Sequence, residues 1–250
     1  MKKVITNWIN NNSHFKKESW EFDMTAKRII SCLSNHQLTY DDNDKEYRSI
    51  FDHMIQKQTN HLLNEIKNSK DLENKIIGCT AIILTGLCYK INKNYLEIGL
   101  SFLKKITVSS IDNQGFTRSR NIKQLIFFLK YFVLIREWFK EAQVEVPDHI
   151  EENIYYFGQG YAFIRQNIAT DLLFNGNNNS NTYDLDNYLK RLGYKFKNEN
   201  KDCGGYIILK NKKICIAMDA GSSPSAKYTQ DYQSGALSFE IISNGKKLIT

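Results

Sequence analysis

Two polar stretches of this sequence hold the side chains best suited to chemistry. The first, "DNQGFTRSRN" over residues 112–121, carries Arg118 and Arg120 in a break between two long apolar-periodic segments. A guanidinium is planar and permanently charged, and its fork of N–H donors matches carboxylates and sulfates. Loops on rigid scaffolds are where such groups commonly act. A structural reading stands beside this one, in which Asp112 caps a helix or the arginines pair with helix carboxylates. The second stretch, "AGSSPSAKYTQDYQSGALSFE" over residues 220–240, carries Tyr228, Tyr232 and Gln233 ahead of a strand. A phenol donates and accepts hydrogen bonds and can move a proton, whereas the amide of Gln233 binds but does not titrate. On composition alone this stretch reads as an ordinary strand connection.

Other chemistries leave little trace. The chain has no GxGxxG, GxxxxGK[ST], HExxH or GxSxG motif. Its five histidines, His14, His36, His53, His61 and His149, all lie in or beside the helical portion. His53 and His61 stand two helical turns apart, a spacing more often found on a surface than at a metal, so no metal and no cofactor are expected. The five cysteines are odd in number and lack CxxC spacing, which signals neither a disulfide framework nor a zinc ribbon. Cys32, Cys79 and Cys88 sit among apolar residues and read as small core side chains.

The net charge of +7, from 34 Lys+Arg against 27 Asp+Glu, suits a polyanionic partner. The lysines are dispersed among asparagines rather than blocked together, so a solvated face is the plainer reading and nucleic acid is not indicated. The apolar run "KIIGCTAIILTGLCYKI" falls short of the roughly 18 residues of a membrane span. At the start, Asn7, Asn10 and Asn11 break any secretory signal. The chain therefore reads as soluble, without a membrane span.

The elements that must position these loops are mostly helical. Two prolines in 250 residues leave room for long helices. Apolar residues keep an i, i+3/i+4 rhythm through Trp20–Leu33, Tyr47–Ile66, the segment capped by Asp71, residues 92–111, and Ile122 to about Val144. Pro147 opens a further helix. "NGNNNSN" reads as a flexible loop and "DLDNYLKRLGY" as a short helix. Beyond Gly193 the period falls to two: "GGYIILKNKKICIAMDAG" reads as a hairpin turning at Lys210–Lys213, and "ALSFEIISNGKKLIT" as one turning at Asn244-Gly245. Two hairpins make a thin sheet, which predicts a β domain that is cut short.

In order along the chain, "DNQGFTRSRN" with "LIFFLKYFVLIREWFKE", then "LLFNG", "GGYIIL", "MDAGSSP" and "YQSGALSFEI…NGKKLIT" resemble the heparinase II/III-like family in its α-proteobacterial form. "TNW" and "SWEFDMTAKRIISCL" near the start resemble it too. The resemblance implies an α+β, multidomain chain: an incomplete α/α toroid over residues 1–166, then over 167–250 a linker, a short helix and the first strands of an antiparallel β-sandwich. It implies a polysaccharide lyase acting on an acidic, uronate-containing glycan by β-elimination, in the cell envelope or periplasm. A cytoplasmic setting is the alternative because no signal peptide is visible. In such a reaction a base takes the proton beside the uronate carboxylate, a neighbouring group stabilises the enolate-like charge, and an acid assists the leaving oxygen.

Departures from the family pattern fall at the positions that matter most. Asp112 matches a DGGH-like motif, but Asn113, Gln114 and Gly115 follow and no histidine appears. "NIKQ" over Asn121–Gln124 lacks the tyrosine of active lyases, and Gln233 stands where a histidine is expected. Tyr232 is then the candidate for proton transfer, with Arg118, Arg120, Gln233 and Tyr228 binding substrate. The alternative is a non-catalytic glycan-binding or envelope polysaccharide biogenesis protein on the same scaffold.

Overall fold

A computed structural model of the chain describes residues 1–89, 94–166, 172–175, 183–229, 232 and 235–249. The change of sequence period appears there as a change of structure, from nine helices among the described residues to a five-stranded antiparallel sheet. By compactness the chain divides into two units, Met1–Ile106 with Leu134–Glu145, and Thr107–Val133 with Val146–Thr250. No helix among the described residues is long and apolar enough to cross a membrane.

The first unit is built from α1 (Lys2–Asn12), α2 (Phe22–Ser34), the short α3 (His36–Thr39), α4 (Lys45–Glu65), α5 (Leu72–Cys88) and parts of α6 (Tyr95–Ser110) and α7 (Ile122–Glu141). The asparagine-rich start is helical because Ile5 and Ile9, four apart, share one buried face. Asp71 caps α5 as its position predicts, its Oδ1 accepting the N–H of Glu73 at 2.7 Å and of Asn74 at 3.4 Å. α5 is apolar all round, and it is buried without a break from Ile76 to Leu87. The Thr59 and Thr85 hydroxyls lie 3.1 Å apart there, each also within hydrogen-bond reach of the carbonyl four residues back, Ile55 or Ala81, so both are satisfied in the core. Cys32 and Cys79 are buried as expected, and burial pushes the Cys32 thiol up to about 11. Cys88, expected in the core, is exposed, because it is the last residue of α5. α7 stops at Glu141, short of the expected Val144. Gln143 takes a φ of 53° and Val144 N–H closes back on the Phe139 carbonyl at 3.0 Å, a Schellman-type end made without glycine.

The second unit holds the 111–121 loop, the start of α7, α8 (Asp148–Gln166), α9 (Tyr183–Arg191) and the sheet. α8 ends at the residue where the helical reading stops, yet compactness groups it with the strands. Phe157 on α8 receives Phe128 and Phe132 of α7 edge-on, with ring centroids 6.0 and 5.2 Å away. Most of "NGNNNSN" lies outside the described residues.

The strands β1 (Asp202–Cys203), β2 (Tyr206–Lys210), β3 (Ile214–Asp219), β4 (Phe239–Ser243) and β5 (Lys246–Ile249) pair in chain order as a meander. Both expected hairpins form. Asn244 and Gly245 have φ of 49° and 78°, as a type I′ turn requires. A third turn, of two residues at Gly204-Gly205 with φ of 58° and 81°, adds β1, a strand too short for its periodicity to register. Tyr206, Ile208, Cys215, Ala217, Asp219 and Ile242 form the buried face of the sheet. On the opposite face Ile207 pairs with Met218, Leu209 with Ile216, and Ile216 with Ile241, an apolar surface open to solvent at Leu209, Ile214 and Phe239.

Candidate functional site

The 112–121 loop is folded by its own side chains. Asp112 Oδ1 accepts the N–H of Gln114 at 2.9 Å and of Phe116 at 2.8 Å, and a single β-bridge joins Ile111 to Thr117. Asp112 therefore caps a turn within the loop, not a helix. The cap of α7 is Asn121, whose Oδ1 accepts from Lys123 N–H at 2.9 Å and Gln124 N–H at 3.3 Å. Gly115, Phe116, Thr117, Ser119 and Arg120 are buried, while Arg118 is exposed. Its Nε donates to the Ile111 carbonyl at 2.9 Å, and it has no ion-pair partner among the described residues.

Arg120 has a different task. Its Nε donates to Gly204 O at 3.1 Å, Nη1 to Ser222 O at 3.0 Å, and Nη2 to Gly205 O at 3.1 Å and to the Asp219 carboxylate. Four of the five N–H groups of the guanidinium are thus engaged, and the side chain is 9% exposed. The substrate-carboxylate role expected of Arg120 does not fit this geometry, since its carboxylate partner is Asp219 and its remaining acceptors are backbone. Arg118 is the arginine of the loop left exposed.

Asp219 also accepts Asn175 Nδ2 at 3.0 Å, and Asn175 Nδ2 donates to the Tyr206 hydroxyl at 2.6 Å. Tyr206 in turn donates to the Arg120 carbonyl at 2.5 Å, closing the ring of bonds. Burial pushes the Tyr206 phenol up, against smaller opposing contributions from Asn175 and Arg120, so it is a fixed neutral donor. Phe174 stacks on its ring at 5.6 Å, and the Arg120 guanidinium lies 5.0 Å from the ring centroid.

Above this network lies a cleft of about 340 Å³, lined by Asp112, Thr117, Arg118 and Arg120 of the loop, Gly204 and Gly205 of the turn, and Gly221–Ser225 with Tyr228 of the segment after β3. The tight floor explains Gly221, where a Cβ would come within 2.7 Å of the Arg120 guanidinium carbon. Tyr228 sits on a 3₁₀ turn, Ala226–Tyr228, and its hydroxyl donates to the Ser109 carbonyl. The Tyr232 hydroxyl accepts from Ser223 Oγ at 3.3 Å, which holds it beside the cleft, not in its lining. Gln233 lies outside the described residues. The structure thus brings Arg118, Arg120 and Tyr228 together in one cleft, with Tyr232 one hydrogen bond away.

Asp219, Asn175 and Tyr206 escaped the sequence reading. The available signal was an aspartate at an inward position of an alternating strand: Cys215, Ala217 and Asp219 share one face, and a carboxylate there demands a buried cation. Among the described residues no group of His, Cys, Asp and Glu is arranged to hold a metal ion.

Residues 199–250 match the family model described as heparinase II/III-like, C-terminal. The crystal structure of heparinase III superposes with a TM-score of 0.76 at 15% identity, covering 98% of this chain and 45% of that one. The fold is heparinase II/III-like. The heparan sulfate lyase HepC from Pedobacter heparinus superposes with a TM-score of 0.72 at 10% identity, covering 98% of this chain and 44% of that one. The chain spans less than half the length of those two proteins. No curated protein matches it by sequence.

Proposed function

We propose that this chain is part of a polysaccharide-lyase-like protein that grips an acidic glycan in the cleft of its second unit. The observation that carries the reading is Arg118, an exposed guanidinium without an ion-pair partner among the described residues, standing in one cleft with Tyr228 and a row of serines. Serine hydroxyls and backbone amides suit sugar hydroxyls, and Arg118 suits a uronate carboxylate or a sulfate. Arg120 holds the floor and Tyr232 is the group for proton transfer in β-elimination. The net charge of +7 and the kinship with heparan sulfate lyases support an acidic substrate, and a cell-envelope setting goes with it.

A non-catalytic glycan-binding protein is the second reading. It is favoured by two observations: no histidine lines the cleft among the described residues, and the Tyr228 hydroxyl is already a donor to Ser109. One experiment separates the two. Arg118→Ala is expected to weaken binding of a uronate oligosaccharide about tenfold or more, the scale of a hydrogen bond to a charged group. Tyr232→Phe is expected to leave binding intact and abolish the rise in absorbance of an unsaturated product. Binding without product in the wild type sinks the lyase reading, and unchanged binding by Arg118→Ala sinks the cleft.

A further inference from the structure

The first unit has its own cleft, and its chemistry is unlike that of a gap between helices. One wall is Trp8 of α1. The Arg28 guanidinium lies 4.0 Å from the Trp8 ring centroid, and it is itself held by the Ser19 carbonyl at 2.6 Å and Gln58 Oε1 at 3.1 Å. The floor is Trp20, which is buried; its indole N–H donates to Asn12 O at 3.2 Å and its ring meets His61 edge-on at 5.5 Å. Ile50, His53, Met54 and Lys57 of α4 form the opposite wall. Lys57 donates to the Ser13 carbonyl and stands 5.8 Å from the Trp20 ring centroid. Both indoles are thus fixed in place before any ligand arrives.

The cleft encloses about 430 Å³, within the range of small-molecule sites, and none of the residues lining it carries a carboxylate. Aromatic faces and aliphatic side chains make the surface that the C–H faces of a pyranose prefer, while Lys57, His53 and the neighbouring asparagine and serines supply donors at its rim. An aromatic and aliphatic lining with one lysine and no carboxylate suits a sugar ring bearing an acid. We infer that this cleft is a second glycan site, which takes a uronate-containing disaccharide with its ring against the half-buried Trp8, over a floor closed by Trp20, and its carboxylate toward Lys57. The choice of ligand rests on the glycan reading of the second unit, but the site shares none of its residues.

The test titrates an unsulfated disaccharide of glucuronate and N-acetylglucosamine into the full chain. Two of the three tryptophans line the cleft, so intrinsic fluorescence reports it, while amide chemical shifts report the Arg118 loop. The expected result is a saturable fluorescence change in the wild type and in Arg118→Ala. It is weakened at least about tenfold by Ile50→Glu, which sets a like charge on the exposed rim, and lost in Trp8→Ala. Ile50→Glu keeps the test meaningful if Trp8→Ala fails to fold, because Ile50 is 38% exposed. A fluorescence change that survives Ile50→Glu, or equal binding of a neutral disaccharide of N-acetylglucosamine, overturns the inference. Shifts in the Arg118 loop without any fluorescence change overturn it too, yet leave the glycan reading standing. Silence from both probes removes both.

Discussion

Asp219→Asn is the substitution whose effect the structure fixes most tightly. The Asp219 carboxylate is 0% exposed and accepts from Arg120 Nη2 and Asn175 Nδ2. Asparagine preserves the size but offers one acceptor oxygen, and its amide N–H₂ then faces one of two donors with no lone pair to give. The Arg120 cation also loses its only counter-charge among the described residues. Removing one partner of a buried ion pair costs about 3–5 kcal/mol. Arg120 keeps three backbone carbonyls, at Gly204, Gly205 and Ser222, which places the expected loss near the lower end, about 3 kcal/mol. The three tryptophans, Trp8, Trp20 and Trp138, all belong to the other unit, so fluorescence is the wrong probe. Native-state amide exchange of β2 and β3 is the right one, and the slowest amides there should exchange about a hundredfold faster. In the cycle with Arg120→Met, the two substitutions should couple by at least about 1 kcal/mol, because they share partners. Exchange accelerated less than about fivefold, or additive effects, would refute the view that this pair anchors the loop.

Two further expectations follow from named side chains. Lys27 Nζ lies 2.8 Å from Asp23 Oδ2 in α2, and this hydrogen bond holds the Asp23 carboxyl below its ordinary value, against a smaller desolvation effect. The folded pKa is depressed, so the pair's contribution, about 0.3–0.5 kcal/mol for an exposed i,i+4 pair, is present above the unfolded carboxylate pKa and lost as pH falls through the folded one. Lys27→Met should raise the Asp23 pKa in a carboxyl-detected NMR titration and leave stability at acid pH unchanged; an unmoved pKa refutes the pairing. Among the five cysteines, Cys88 alone is exposed; partial burial raises its thiol too, but burial pushes the Cys203 thiol up to about 12 and closes it to solvent. A thiol reagent at mildly alkaline pH should therefore label Cys88 in the native protein and the other four only on unfolding, and fast native labelling at Cys203 would contradict its burial.

The fold was legible where burial follows a simple period. α5 is apolar all round and buried all round, and Asn244-Gly245 turns a hairpin because both residues tolerate positive φ. Legibility failed where a single position matters. Cys88 belongs to an apolar run but terminates its helix, and periodicity cannot mark the last turn. β1 pairs only Asp202 and Cys203 with β2, too few residues for alternation to show. At the candidate site the sequence offered two arginines of equal standing. Their different fates depend on Asp219 and on the turn at Gly204-Gly205, about a hundred residues downstream, which local pattern does not connect to them.

The contrast between an exposed Arg118 and a buried Arg120 has a backbone cause. Arg120 holds a φ of 57°, in the left-handed region that costs a non-glycine residue roughly 1–2 kcal/mol. Such a conformation persists only where its surroundings over-determine it. Here Arg120 N–H donates to Thr117 O at 2.8 Å, its carbonyl accepts from Tyr206, and its guanidinium is held at four points. The reversal at Arg120 turns its own side chain under the loop and leaves Arg118 on the open side. A glycine at 120 would relax the strain but leave Asp219 without its cation, at a cost that exceeds the relief. The exposed guanidinium is thus positioned by a buried one, and the strain at Arg120 is offset by bonds to β3 and the turn before β2. The placement of Arg118 therefore depends on the sheet as much as on its own loop.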